Sequence, residues 1–265
     1  MSFSINRVMA IATNTFKESI RNRVFIGLMF GALVMIFASL IMSEMVVFDQ
    51  RKRVIQDFGL FFISFAGVLI AITIGVLLVY NELKRKTIYS LLPKPIHRYE
   101  FIVGRYVGIF IILFVMALIL SGAWFVVMLL RGVPLQPIFI KAVILILGEL
   151  AIVSAVAILF SSFSSPVLSG IFTFGIYVLG RQVQFIEELL HAQKGLFVSL
   201  PSLKPIGQAV ASVFPDLSLF DITMEVLLEV HVGWGYVFGA LAYALAYVVV
   251  FIIAAAVIFQ RRDFV

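Results

Sequence analysis

Six apolar runs, most of them as long as a membrane-crossing helix, leave this chain of 265 residues little choice of fold. They read Val24 to Ser43, Phe58 to Tyr80, Tyr106 to Leu130, Ile138 to Phe160, Pro166 to Gly180 and Gly235 to Phe259. A helix needs about 20 predominantly apolar residues to cross the hydrocarbon core, where no water can satisfy an open backbone group. The fifth run is the exception: it ends before Arg181 and covers only part of that depth. Hydrophobic residues make up 63% of the chain and charged ones 13%, and the mean hydropathy is +1.15. A water-soluble core would carry about 25% charge. The sequence therefore predicts an all-α polytopic membrane protein with six transmembrane helices.

The chain has no cysteine, which rules out a disulfide scaffold or a thiolate metal site. Its net charge of +6 fits cytoplasmic loops beside anionic lipid, and nucleic acid is not an expected partner. An even number of spans puts both termini on one side. With that side cytoplasmic, twelve of the twenty Lys and Arg residues lie inside, Arg7, Lys17, Arg21 and Arg23 among them. Arg51-Lys52-Arg53 sits on the opposing side.

Before the first run, residues 4–22 carry Ile5, Val8, Met9, Ala12, Phe16 and Ile20 at helical spacing, with Asn6, Arg7, Thr13, Asn14, Lys17 and Arg21 on the other face and Ser4 placed to cap. Direct passage into the apolar run at Val24 favours an elbow helix lying in the membrane plane over a soluble amphipathic helix. Ser161-Ser162-Phe163-Ser164-Ser165-Pro166 predicts a tight hairpin, with Ser165 as cap and Pro166 in the first helical turn. Residues 181–234 form the longest segment between spans. Helical character is expected at Val183 to Ala192 and Met224 to Val230, with breaks at Pro201, Pro205, Pro215 and Gly233. Its many apolar residues, Leu203, Phe214, Leu217 and Phe220 among them, predict a cap against the outer side of the membrane part.

Between the second and third runs lies a polar island, residues 81–106. Glu82, Lys84, Arg85, Lys86, Lys94, Arg98, Glu100 and Arg105 make it too polar for hydrocarbon, while Leu91, Leu92, Ile96, Phe101 and Ile102 supply apolar patches that a solvated linker would not need. Helical continuation to Ser90 would set Glu82, Arg85, Lys86 and Tyr89 on one face before Pro93 and Pro95 stop it. We read the island as a docking surface; an ordinary basic loop is the plain alternative.

The order Glu82, Lys86-Thr87, Leu91-Leu92, Pro95, Arg98 and Gly104-Arg105 resembles the cytoplasmic coupling segment of type-2 ABC (ABC-2) exporter permeases. The likeness extends over nearly the whole chain, from the amphipathic first helix to the closing Gln260-Arg261-Arg262-Asp263-Phe264. Within that family the pattern resembles permeases of multicopper-enzyme maturation, such as that of nitrous-oxide reductase. The resemblance implies one permease domain over residues 1–265 in a prokaryotic cytoplasmic (inner) membrane, with both termini cytoplasmic and the elbow helix at its start. It implies a second permease copy, identical or different, and cytoplasmic ABC ATPase subunits bound at Glu82, Arg85, Lys86, Thr87, Leu91, Leu92, Pro95, Arg98, Gly104 and Arg105. ATP and Mg would sit on those partners. A further periplasmic or extracellular partner at 181–234 is compatible with it.

No Gly-Lys-Ser/Thr of a phosphate loop occurs, so ATP hydrolysis is expected on another chain, with no catalytic residue and no cofactor on this one. Glu149 is the sole carboxylate deep inside a span. An ionised carboxylate there costs about 2.5 kcal/mol or more, so it must face protein or water. It marks either a substrate path or dimer interface, or a packing group among the small residues Gly148, Ala151, Ser154 and Ala155. His97, His191 and His231 lack metal-ligand spacing, and Met42 and Met45 read as apolar filler before copper ligands. Trp234 and Tyr236, with Tyr80, Tyr99 and Tyr106, suit interfacial anchors. An intramembrane lipid-modifying enzyme or protease is the alternative from another class; it needs paired catalytic groups at one depth, and Glu149 has no evident partner. A channel would need polar rings along several spans.

Overall fold

The structure is a computed structural model that describes residues 5–47, 50–85, 98–191 and 204–261. Among them it contains helices and no strands. In chain order these are α1 (Ile5–Ile20), α2 (Arg23–Glu44), α3 (Arg51–Arg85), α4 (Arg98–Leu130), α5 (Pro137–Ser161), α6 (Pro166–Arg181), α7 (Val183–His191), α8 (Lys204–Val213), α9 (Thr223–Leu227) and α10 (Trp234–Arg261), with a 3-10 turn at Ser218–Phe220 before α9. Five helices, α2, α3, α4, α5 and α10, are long and apolar enough to cross a membrane, and α6 is a shorter apolar helix. Its 16 residues span about 24 Å, less than the ~30 Å core. The short fifth run is thus short in space as well. In contrast α3, at 35 residues and about 52 Å, runs well beyond the hydrocarbon.

The helices run up and down between two ends. One end holds α1, the start of α4 and the close of α10, joined where the Phe101 and Phe259 rings stack with centroids 5.8 Å apart. The other holds the α2–α3 and α4–α5 connections, where Glu44 pairs with Arg51 at 3.0 Å and with Arg131. Of the triplet Arg51-Lys52-Arg53, two members are held by carboxylates, since Lys52 pairs with Glu229. Helices α3 and α5 form the centre of the bundle, whereas α10 and α2 are peripheral and show Phe238, Leu245, Ile253, Phe30 and Ile41 outward as a lipid-facing surface would. The central pair approaches closely because Gly75 of α3 leaves room for the Ala157 methyl; a Cβ at Gly75 would stand 2.7 Å from it.

Asn22 joins the elbow to the first span, its side-chain oxygen accepting from the Val24 N–H at 2.9 Å. Ser165 occupies the N-cap position of α6 and Pro166 its first turn, but the Ser165 hydroxyl makes no capping bond; its carbonyl accepts from the Ser169 N–H at 2.8 Å instead. Pro205 does not break a helix. It stands in the first turn of α8, where a missing N–H is harmless. The helix expected at Met224 to Val230 is shorter, Thr223–Leu227, and the chain leaves it through Glu229 in a left-handed conformation, φ 56°.

Residues 215–232 press onto the membrane part. Leu217, Phe220, Ile222 and Val226 are buried in the main core. Phe220 enters against Gly148 of α5, where a Cβ would lie 2.8 Å from its ring. Polar tethers fix the segment: Tyr236 O–H donates to the Leu219 carbonyl at 2.6 Å, the Asp216 N–H donates to the Tyr243 hydroxyl at 2.8 Å, and the buried Lys141 ammonium donates to the Val232 carbonyl at 2.6 Å while lying 5.0 Å from the Trp234 ring centroid. Trp234 and Tyr236 therefore hold the cap as well as marking the start of the last span.

Candidate functional site

The island singled out in the sequence falls between two long helices. Glu82 and Arg85 stand on the last turns of α3 and Arg98 opens α4. Lys86, Thr87, Leu91, Leu92 and Pro95 lie outside the described residues. Gly104 and Arg105 are nearly two turns further along α4, and there α1 crosses them. A Cβ on Gly104 would lie 2.8 Å from Ile11 Cβ and 3.1 Å from the Val8 carbonyl; on Gly108 it would lie 2.5 Å from Thr15 Cβ and 2.8 Å from the Ala12 carbonyl. Glycines four apart let one helix backbone settle on another.

This contact redistributes the faces of α1. Val8, Ala12, Thr15 and Ser19 are buried against protein, while the apolar Ile5, Met9 and Ile20 are exposed, as suits a lipid-facing edge. Thr15 and Ser19 can bury because each hydroxyl donates to a carbonyl of its own helix, Ile11 at 2.8 Å and Thr15 at 2.7 Å. Charge seals the two ends of the crossing: Arg7 meets the buried Glu100 at 3.3 Å, and Glu18 meets the buried Arg105 at 3.5 Å. The Arg105 guanidinium also lies 5.4 Å from the Phe101 ring centroid. So the elbow is fastened to the first turns of the helix that follows the island.

A second site surrounds Glu149, and here the expectation of an unpartnered carboxylate needs correction. Glu149 lies midway along α5 and is fully buried. Ser64 of α3 donates its hydroxyl to Oε2 at 2.9 Å, and Arg181, the last residue of α6, donates Nε to Oε1 at 2.9 Å and Nη2 to Oε2 at 3.4 Å. The third guanidinium nitrogen, Nη1, reaches Asp221 Oδ2 at 2.7 Å. One planar fork thereby ties α5 to α6 and to the segment before α9. The end of α6 suits a cation, because its last carbonyls point that way. Tyr177, one turn earlier, places its ring centroid 5.8 Å from the same guanidinium.

Beside this network lies a cavity of about 570 Å³ between α3, α5, α6 and residues 218–227. Leu60, Phe61 and Phe65 give it an apolar wall, and the Phe61 and Phe65 rings stack with centroids 5.4 Å apart and planes 9° apart. Asp57, Arg181, Asp221 and Glu225 supply its charged lining. Among the described residues no three His, Cys, Asp or Glu side chains are grouped to hold a metal ion. An ion pair held by a serine hydroxyl offers no general acid and base set about a nucleophile, so the network can fasten helices, or change partners when they move.

Arg181, Asp221, Ser64 and Asp57 were not singled out from the sequence. The available signal was charge sign: Glu149 and Arg181 are opposite charges at the middle and end of adjacent apolar runs, and a buried carboxylate needs such a partner.

A family model described as ABC-2 family transporter protein matches residues 9–264. No curated protein matches the sequence.

Proposed function

This chain belongs to the ABC-2 transporter family, as the membrane permease component of an ABC transporter, and from that premise we propose that it is the membrane half of an exporter driven by a separate cytoplasmic ATPase docked on residues 81–106. The family match over nearly the whole chain carries this reading, since permeases of this kind partner ABC ATPase subunits. The charge and apolar pattern of the island supports it, as does its position between α3 and α4, two helices longer than a bilayer core is thick. A motor moves membrane helices only through contacts that differ between its states. With α1 fastened across Gly104 and Gly108, a push on the island shifts α4 and the elbow as one piece.

In this reading the end bearing α1 is cytoplasmic, the membrane is a prokaryotic inner membrane, and two permease copies form the transport unit. Maturation of a copper enzyme is the service that the motif resemblance suggests. The test is co-purification. Leu91→Asp with Leu92→Asp leaves the permease in the membrane and abolishes capture of its partner ATPase, and capture at the parent level refutes docking at this segment.

A further inference from the structure

We propose that the cavity between α3, α5, α6 and residues 218–227 is a binding site for a cation carrying an apolar body. The carboxylates of Asp57 and Glu225 would meet the charge, and the stacked Phe61 and Phe65 rings the body. The case begins with a count of charges. Arg181 is the one cationic residue of the lining among the described residues, and its guanidinium is already shared by Glu149 and Asp221. The side-chain carboxylates of Asp57 and Glu225 have no hydrogen-bond or ion-pair partner among the described residues. The wall thus carries more negative than positive charge, in a recess bordered by low-dielectric helices that concentrates its field.

The apolar half of the wall narrows the ligand class. A hard divalent cation such as Ca2+ takes about six to eight oxygen ligands, and no metal-holding group of His, Cys, Asp or Glu side chains is present among the described residues. A neutral apolar ligand would cover the carboxylates and leave their charge uncompensated. A cation with aromatic or aliphatic substance answers both halves, since the face of an aromatic ring attracts positive charge. At about 570 Å³ the cavity falls inside the range of about 300–1,000 Å³ typical of small-molecule sites.

This deepens the reading of the chain as a permease by naming a class of cargo, and it rests on that reading for the word cargo; binding itself does not need it. The same chemistry is offered by a free amphipathic cation and by the ammonium headgroup of an aminolipid. Equilibrium dialysis of radiolabelled tetraphenylphosphonium against the purified full chain in a neutral maltoside detergent tests the class. We expect saturable binding that falls at least tenfold in the double variant Asp57→Asn, Glu225→Gln. Radiolabelled tetraphenylborate, an anion of the same shape dialysed on its own because it precipitates with the cation, should show no saturable binding. Equal binding by the double variant, or saturable binding of tetraphenylborate of equal affinity, overturns the proposal. If the double variant no longer elutes as folded protein, Asp57→Asn alone decides, with at least threefold weakening expected and no change overturning it. Competition by added phosphatidylethanolamine but not phosphatidylglycerol assigns the site to a lipid; absence of that competition assigns it to a free cation. Because no ATPase is present, failure here removes the ligand class and leaves the co-purification experiment to judge the permease reading.

Discussion

At the end bearing α1, helices meet by close packing on glycine. Gly104 and Gly108 of α4 admit the Ile11 and Thr15 side chains together with the Val8 and Ala12 carbonyls of α1, and the Arg7–Glu100 and Glu18–Arg105 ion pairs lie at the borders of the contact. At the opposite end the contact is made by charge. Glu149, Arg181, Asp221 and Ser64 join α3, α5, α6 and the cap through polar atoms, beside a cavity. A close-packed contact moves as a rigid body and resists any added volume. A network of ion pairs can exchange partners as helices shift, but is intolerant of losing one member. The two ends therefore suit different tasks, passing on a movement and responding to one.

The sharpest way to break this comparison is to remove the shared guanidinium. Arg181→Met strands the Glu149 carboxylate in the core and should destabilise the protein by about 3–5 kcal/mol, read as a fall in the thermal unfolding midpoint in detergent. Adding Glu149→Met should recover most of that loss, because paired apolar groups replace a buried ion pair at little net cost. Parent-like unfolding of Arg181→Met would show that the cavity end is not held by charge.

A smaller effect is expected at the other end. Gly108→Ala places a methyl 2.5 Å from Thr15 Cβ and should destabilise by about 1–3 kcal/mol while displacing α1. Gly122→Ala on the same helix, with no atom near its Cβ position, should be neutral or stabilise by up to about 1 kcal/mol. If both alanines behave alike, volume does not govern the elbow contact.

The smallest effect concerns Glu229, whose carboxyl is held below its ordinary value of 4.5 by the hydrogen bond and charge of Lys52. Folded and unfolded values differ in that direction, so the pair's contribution is present above about pH 4.5 and fades as pH falls through the lowered value. Lys52→Met should lower the unfolding midpoint slightly at pH 7, and the difference from the parent should shrink as pH falls below about 4.5. A pH-independent difference would mean that packing of the lysine stem, and not its charge, supports the cap.

The spans were legible because a bilayer reads composition over about 20 residues, and α2, α3, α4, α5 and α10 cover the corresponding apolar runs. The elbow was legible as a helix, but its faces were not. Thr15 and Ser19 belonged to neither face read from the sequence, yet both are buried, Thr15 against Gly108 of α4. Glu149 was legible as a costly residue, whereas its partners were not, since Ser64 and Arg181 lie 85 and 32 residues away and such pairing has no local pattern. The cap was misread at Pro205 and beyond Leu227, where a proline in a first turn and a left-handed glutamate depend on contacts made elsewhere.

By itself the sequence determined that this chain lives in a membrane, which stretches are apolar enough to enter it, and where its one long polar interruption on the α1 side falls. Those properties follow from hydrophobicity summed along a continuous stretch, which no distant contact can alter. Tertiary structure alone decided which glycines become contact surfaces, which cation answers Glu149, and that a cavity opens beside them. Each of these depends on two or more helices arriving at one place, and close packing selects partners by shape and charge in space, whatever their separation along the chain.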